Sequence, residues 1–226
     1  MNTIIKLSKI ILILRAIPKT LYINFRYLPF NQAIKLPIII SHRVLLMERR
    51  GAIIIENNVS TGMIKIGFGE VGIFDQQRSR SVIQLRGKII FKGRANIGHG
   101  SKLSVSGELV IGQNFNITAE TQFICKERIF VGDNVLISWD VLIMDSDLHE
   151  IIDINGETLN KNKEIIIGNN VWIGTRCTLL KGINIKNGTI VAANTLLHSN
   201  SLEYSENSII GGNPINLIKE GVLWKH

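Results

Sequence analysis

Residues 51–202 predict a mainly β protein, a parallel β-helix of triangular cross-section, with a helical arm before it and a short helix after it. Three observations carry this. Large apolar residues recur every six positions: Leu85, Phe91, Ile97, Leu103 and Leu109, then Ile111, Ile117, Phe123 and Ile129, then Ile167, Ile173, Leu179, Ile185, Val191 and Leu197. The frame slips by two at 109→111 and 129→131, so Phe91, Ile111 and Val131 stand 20 apart, while Ile167 and Ile185 stand 18 apart. Turn formers recur with the same order, at Gly112-Gln113-Asn114, Gly132-Asp133-Asn134, Gly168-Asn169-Asn170 and Asn187-Gly188. A coil of three six-residue sides, some with a two-residue bulge at a corner, accounts for all three. Each side supplies an inward apolar residue, each corner needs residues that tolerate positive φ, and each coil buries its apolar face only on its neighbours.

In chain order, residues 1–50 form a basic arm and lead-in. They hold nine Lys or Arg against one acid, Glu48, and so carry the whole net charge of +8; residues 51–226 hold 17 basic and 17 acidic residues. Ile4, Leu7, Ile11 and Leu14 recur at helical spacing, and Pro18 is expected to close the helix. The stretch is interrupted by Lys6, Lys9 and Arg15, is too short to span a membrane, and lacks a small-residue cleavage site. Two uses fit a basic amphipathic helix equally: peripheral contact of residues 1–20 with an anionic leaflet, or packing on the protein itself. Cys125 and Cys177 are far apart and outside any CxxC pattern, which points to reduced thiols and a cytoplasmic protein. The balanced repeat has no basic face, so nucleic acid is not an expected partner. After the coil, residues 203–226 are expected to form a turn at Gly211-Gly212-Asn213-Pro214 and a capping helix with Pro214 in its first position.

The repeat breaks once. Val131, Ile137 and Ile143 keep the count of six, but position 149 is His149. It follows Asp145 and Asp147 at the start of an excursion over residues 144–163, with Asn155-Gly156 as its turn. A histidine there is either a surface-loop residue or a base, and its position alone does not choose. Trp139, just before, is suited to stacking on a sugar ring or to packing at a subunit interface. His99, His149 and His198 are 50 and 49 apart, offsets that do not match one coil length, so no metal centre is expected.

The segments IGNNVWIGTRCTLLKGINI (167–185), VAAN (191–194) and IIGGNPINLIK (209–219), with VGDNVLIS (131–138) before a histidine, resemble the hexapeptide-repeat acyltransferases. The pattern is similar to the galactoside and maltose O-acetyltransferase type and its capsule and surface-polysaccharide relatives. The resemblance implies a left-handed coil, a homotrimer, acetyl-CoA held between subunits, a saccharide acceptor and His149 as the catalytic base. It places Thr175 and Ala193 along the cofactor arm and Lys219 near its phosphates. Asp145 or Asp147 would orient His149 or hold a sugar hydroxyl. Three positions depart from the family pattern: His198-Ser199, Asn216 and Thr118. The same residues leave two other readings open, an N-acetyltransferase of an amino sugar nucleotide and a catalytically silent β-helix acting as a structural or membrane-docking subunit.

Overall fold

The inward residues counted in sixes stack on one another from coil to coil. On a first face, A, Ile97, Ile117, Ile137, Ile173, Val191 and Ile210 are successive parallel partners. On face B the column is Leu103, Phe123, Ile143, Leu179 and Leu197. On face C it is Phe91, Ile111, Val131, Ile167 and Ile185. All of these side chains are buried. They form one continuous apolar core, and burying each aliphatic side chain contributes about 1.5–3 kcal/mol.

The computed structural model describes residues 3–69, 71–75, 78–198 and 202–225, with side chains from residue 11 onward. The chain winds A, B, C, A, B, C, so each sheet is built from every third strand. Face B runs Leu45–Arg49, Val82–Leu85, Lys102–Val105, Gln122–Cys125, Leu142–Met144, Thr178–Leu180 and Leu196–Leu197.

The corner from C to A is built as the sequence predicts. Asn114, Asn134 and Asn170 all have left-handed φ, at 54°, 55° and 54°. Each amide donates to the next: Asn114 Nδ2 to Asn134 Oδ1 at 3.0 Å, and Asn134 Nδ2 to Asn170 Oδ1 at 3.1 Å. Beside this ladder the backbone N–H groups of Gln113, Asp133 and Asn169 donate to the side chains of Asp133, Asn169 and Asn187 in turn.

Three expectations are corrected. The coil begins at Ile38–Ile40, before residue 51, because the early coils carry inserts: Ile40 pairs with Ile66 and Ile66 with Ile97, 26 and 31 residues on, so a count of six passes over them. The N-terminal helix, α1 (Thr3–Tyr27), runs through Pro18. The hydrogen bond that Pro18 lacks is offset by contacts further along. Thr20 and Asn24 face the open edge of face A, where Asn24 accepts from Ile38 N (3.1 Å) and donates to Ile38 O (2.7 Å), and Thr20 accepts from Ile40 N (3.2 Å). α1 is therefore the cap on the first coil, followed by a single turn, α2 (Phe30–Ala33). At the far end the described residues form no capping helix. Residues 212–215 turn through a cis Asn213–Pro214 bond, and Asn216–Lys219 pairs antiparallel with Ile209–Gly211. The last strand of face A otherwise has an unpaired edge, and a strand satisfies its backbone groups where a helix does not.

Candidate functional site

The excursion leaves the B-to-C corner after Leu142–Met144 and returns at Ile165–Ile167. Its first residue, Asp145, is fully buried. Its two carboxylate oxygens accept from the backbone N–H groups of Lys126 (2.7 Å) and Glu127 (2.8 Å), which form the corner of the preceding coil. That carboxylate is committed to the corner, so the expected contact of Asp145 with a substrate is corrected: burial and two backbone donors leave it no outward oxygen. Beside it, burial first and the Asp145 charge second push the Cys125 thiol up to about 12. Cys125 and Cys177 are both buried free thiols.

The chain then turns out of the coil through Ser146, whose Oγ accepts from Leu148 N at 3.0 Å. Leu148 has φ 65°, a conformation that costs a bulky residue about 1–2 kcal/mol. Such strain marks a position fixed by its surroundings, and the next residue is His149. The imidazole is exposed and has no hydrogen-bond partner among the described residues. Its backbone is held: His149 O accepts from Asn160 Nδ2 at 2.8 Å, and the same nitrogen donates to Asp147 Oδ2 at 2.8 Å. Lys181 Nζ, from the same corner of the next coil, donates to Asp147 Oδ2 and to Asn160 O, both at 2.6 Å. The Lys181 ammonium, and then the Asn160 amide, hold the Asp147 carboxyl below its usual range. Asp147 thus braces the segment on which His149 stands.

Asn160 and Lys181 carry no motif, yet register finds one of them. Met144 pairs with Leu180, which stacks Lys181 on the corner where the excursion begins. The tip of the loop is the expected Asn155-Gly156 turn, with Asp153 Oδ1 accepting from Asn155 N and Glu157 N. Leu148, Ile151, Ile152, Ile154 and Leu159 are all exposed along it.

The other predicted residues gather at a different corner. Ile137, Ile173 and Val191 are partners on face A, so two residues later Trp139, Thr175 and Ala193 form a column at the A-to-B corner. Thr175 Oγ1 donates to Trp139 O at 2.8 Å, and Asn194 N donates to Thr175 O at 3.0 Å. Ala193 is exposed. A Cβ on Gly174 would lie 2.7 Å from Ala193 N, so only glycine permits the close stacking beside it. Lys219 pairs with Ile209, at the opposite end of that strand from Gly211 and the corner; Asn216 sits across from Gly211.

The two groups lie at opposite ends of face B. Thr175 and Lys181 stand at the two corners that flank Thr178–Leu180, one side of the triangle apart, on the order of 15 Å. One chain does not bring His149 to the Trp139–Thr175–Ala193 column. His99 is buried, with Nδ1 3.0 Å from Ser79 Oγ, and burial lowers its pKa. Among the described residues no three His, Cys, Asp or Glu side chains converge as a metal site. Thr118 Oγ1 is buried without a partner among the described residues, and Ser199 lies outside them.

Over 134 residues the chain is 26 % identical to the polysialic acid O-acetyltransferase of Escherichia coli O1:K1 / APEC, which covers 59 % of this chain and 41 % of the relative. Over 119 residues it is 28 % identical to the galactoside O-acetyltransferase of Escherichia coli strain K12, covering 52 % of this chain and 56 % of that one. The chain thus spans about half the length of these curated relatives. The crystal structure of the polySia-specific acetyltransferase NeuO superposes with a TM-score of 0.60 over 84 % of both chains, at 19 % identity. The likeness shows the fold, a left-handed parallel β-helix. No protein-family model matches the chain.

Proposed function

We propose that this chain is an acyltransferase that moves an acetyl group from acetyl-CoA to a hydroxyl of a cell-envelope saccharide or its precursor, working as a homotrimer. The observation that carries the proposal is the excursion at 145–164. A coil that is regular from Ile97 onward breaks here to set an exposed histidine on a strained, braced segment, in a chain whose relatives are O-acetyltransferases.

An alcohol is a poor nucleophile at neutral pH, and a neutral imidazole is suited to removing its proton during attack. In this reading the saccharide oxygen attacks the thioester carbonyl as His149 takes the hydroxyl proton. The tetrahedral intermediate collapses with loss of the C–S bond, and His149 returns the proton to the departing thiolate. The products are the acetyl ester and free CoA, with no acyl-enzyme between. Fixing the His149 carbonyl through Asn160 and Lys181 limits where the ring can go, which is how positioning lowers a barrier.

The homotrimer is part of the proposal, and the separation of the two groups supports a site shared between subunits. His149 and the Trp139–Thr175–Ala193 column stand at two corners of one coil, and a neighbouring copy can set one chain's His149 against another chain's column. The exposed apolar side chains of the excursion are suited to being covered by that neighbour. Thr175 and Ala193 would line the pantetheine arm, and Trp139 would stack on it or on the sugar. Lys219, at the far end of the hairpin, would meet a cofactor phosphate in this reading.

Calorimetric titration of the purified protein with acetyl-CoA tests the donor. One saturable site per subunit is expected; no heat at millimolar ligand would remove the acyltransferase reading and leave a structural β-helix.

A further inference from the structure

α1 has two faces, and only one of them is used by the coil. Ala16, Thr20, Ile23 and Asn24 are buried against face A. The opposite face carries Ile11, Leu14, Ile17, Leu21 and Phe25, all between 41 and 58 % exposed. At about 100° per residue these five span an arc of roughly 120°, and no polar side chain interrupts it. Phe30 of α2 extends the surface, with its ring 6.2 Å from that of Phe25.

Charge borders this arc. Arg15 and Arg26 fall just beyond its edge on the helix and both are exposed. Arg49 joins them from the coil, its guanidinium 5.6 Å over the Tyr22 ring and Nη1 donating to Tyr22 OH at 3.3 Å. The net charge of the chain is confined to these first 50 residues. An apolar stripe edged by arginine matches the acyl–headgroup boundary of an anionic leaflet, where the stripe enters the hydrocarbon and the guanidinium groups meet lipid phosphate. Among the described residues no helix is long and apolar enough to cross a bilayer, which leaves contact in the plane of the surface.

The direction of contact is also set. Thr20 and Asn24 bond the free edge of Ile38–Ile40, the first strand of face A, and that edge points along the coil axis. The outward face of α1 therefore looks out of the end of the coil. We infer that this face docks on an anionic lipid bilayer and stands the β-helix end-on to the membrane. A second copy is a poorer occupant, because it offers these arginines no anion: an antiparallel pairing of two such faces sets the Arg15 end of one copy beside the Arg26 end of the other, and a parallel pairing leaves both arginine edges without a counter-charge.

Flotation of the full chain with phosphatidylglycerol-rich and with pure phosphatidylcholine vesicles tests this. Binding to the anionic vesicles is expected to be at least tenfold tighter and to weaken as salt rises. The pair Leu14→Asp and Phe25→Asp is expected to lose tenfold or more, and the pair Arg15→Gln and Arg26→Gln to lose several-fold together with the salt dependence. These side chains are exposed, so an unchanged melting temperature checks that the fold is kept; Leu14→Ser with Phe25→Ser is the milder pair if it is not. Three results would overturn the inference: wild-type protein that floats with neither vesicle, binding unchanged by the folded aspartate or serine pair, or a wild type that ignores vesicles and whose mass by light scattering falls when the apolar face is altered. The last would assign the face to a second copy.

Discussion

The C-to-A and B-to-C corners turn the same coils by different rules. In the first, Asn114, Asn134 and Asn170 repeat one residue, one φ and one hydrogen bond from coil to coil. In the second, the corner at Lys126-Glu127 is closed by the Asp145 carboxylate, the next leaves the coil altogether, and the one after supplies Lys181 to hold what has left. A repeating corner spreads its stabilisation over the stack and offers nothing distinctive at any one level. A broken corner concentrates unlike groups at one level, and that is where a single imidazole is set apart from the rest.

The comparison can be broken from either side. Replacing His149 with Ala is expected to have the largest effect, a 10²- to 10⁴-fold loss of transfer, which is about 3–5 kcal/mol of barrier, with acetyl-CoA affinity and melting temperature unchanged. Turnover within a few-fold of wild type would remove His149 as the base. Ile143→Ala removes the last inward residue before the break, which is fully buried. It should cost about 2–5 kcal/mol in chemical denaturation, and a loss under 1 kcal/mol would mean that this level of the coil is not packed as described. Asn134→Ala takes away two amide hydrogen bonds and a residue suited to φ 55°. About 1–2 kcal/mol of stability should go while specific activity stays the same; a matching fall in activity would show that the two corners are coupled.

The smallest effect concerns Asp147. Its folded pKa is depressed by Lys181 and Asn160, so the brace is fully present above the ordinary aspartate range and is lost as pH falls through the lowered value. The pair is partly exposed, with 41 % of the Asp147 side chain accessible, and is expected to contribute only a few tenths of a kcal/mol. Activity should therefore hold its pH profile near neutrality in Asp147→Asn and fall a few-fold through looser positioning. A change in the acid limb near pH 6 would instead tie Asp147 to the proton transfer itself.

The parts of the fold legible in the sequence are those a count can reach. Ile97, Ile117, Ile137 and the residues stacked on them follow from a period of six with a known slip, and the Asn ladder follows from the Gly-x-Asn turns. The first coils were not legible because inserts separate Ile40, Ile66 and Ile97 by more than one coil length. The closing strand was not legible because Ile215, Leu217 and Ile218 suit a helix face or a short strand equally, and the unpaired edge they meet exists only in three dimensions. At the site, His149 is marked by the failure of the count. Asp145 misleads because its neighbours in sequence suggest a cluster of acids, while its partners, the N–H groups of Lys126 and Glu127, belong to the coil before. The grouping of Trp139 with Thr175 and Ala193 was available from the register, since their face A partners are in step.

The coil also serves as a ruler. Its graduations are the strand spacings, about 4.8 Å each, and its zero is the end closed by α1. On face B, Leu142–Met144 is the fifth strand from that end, four graduations up. The excursion carrying His149 thus stands roughly 20 Å above the first coil, with the thickness of a helix, about 10 Å, beneath it. Whatever surface the cap rests on, a hydroxyl lying flat against that surface is out of range. If the proposed transfer and docking both hold, the acceptor that fits such a gauge is one whose reacting sugar is carried well clear of its anchor, and adding or removing one whole coil between α1 and residue 131 would reset the distance by a single graduation.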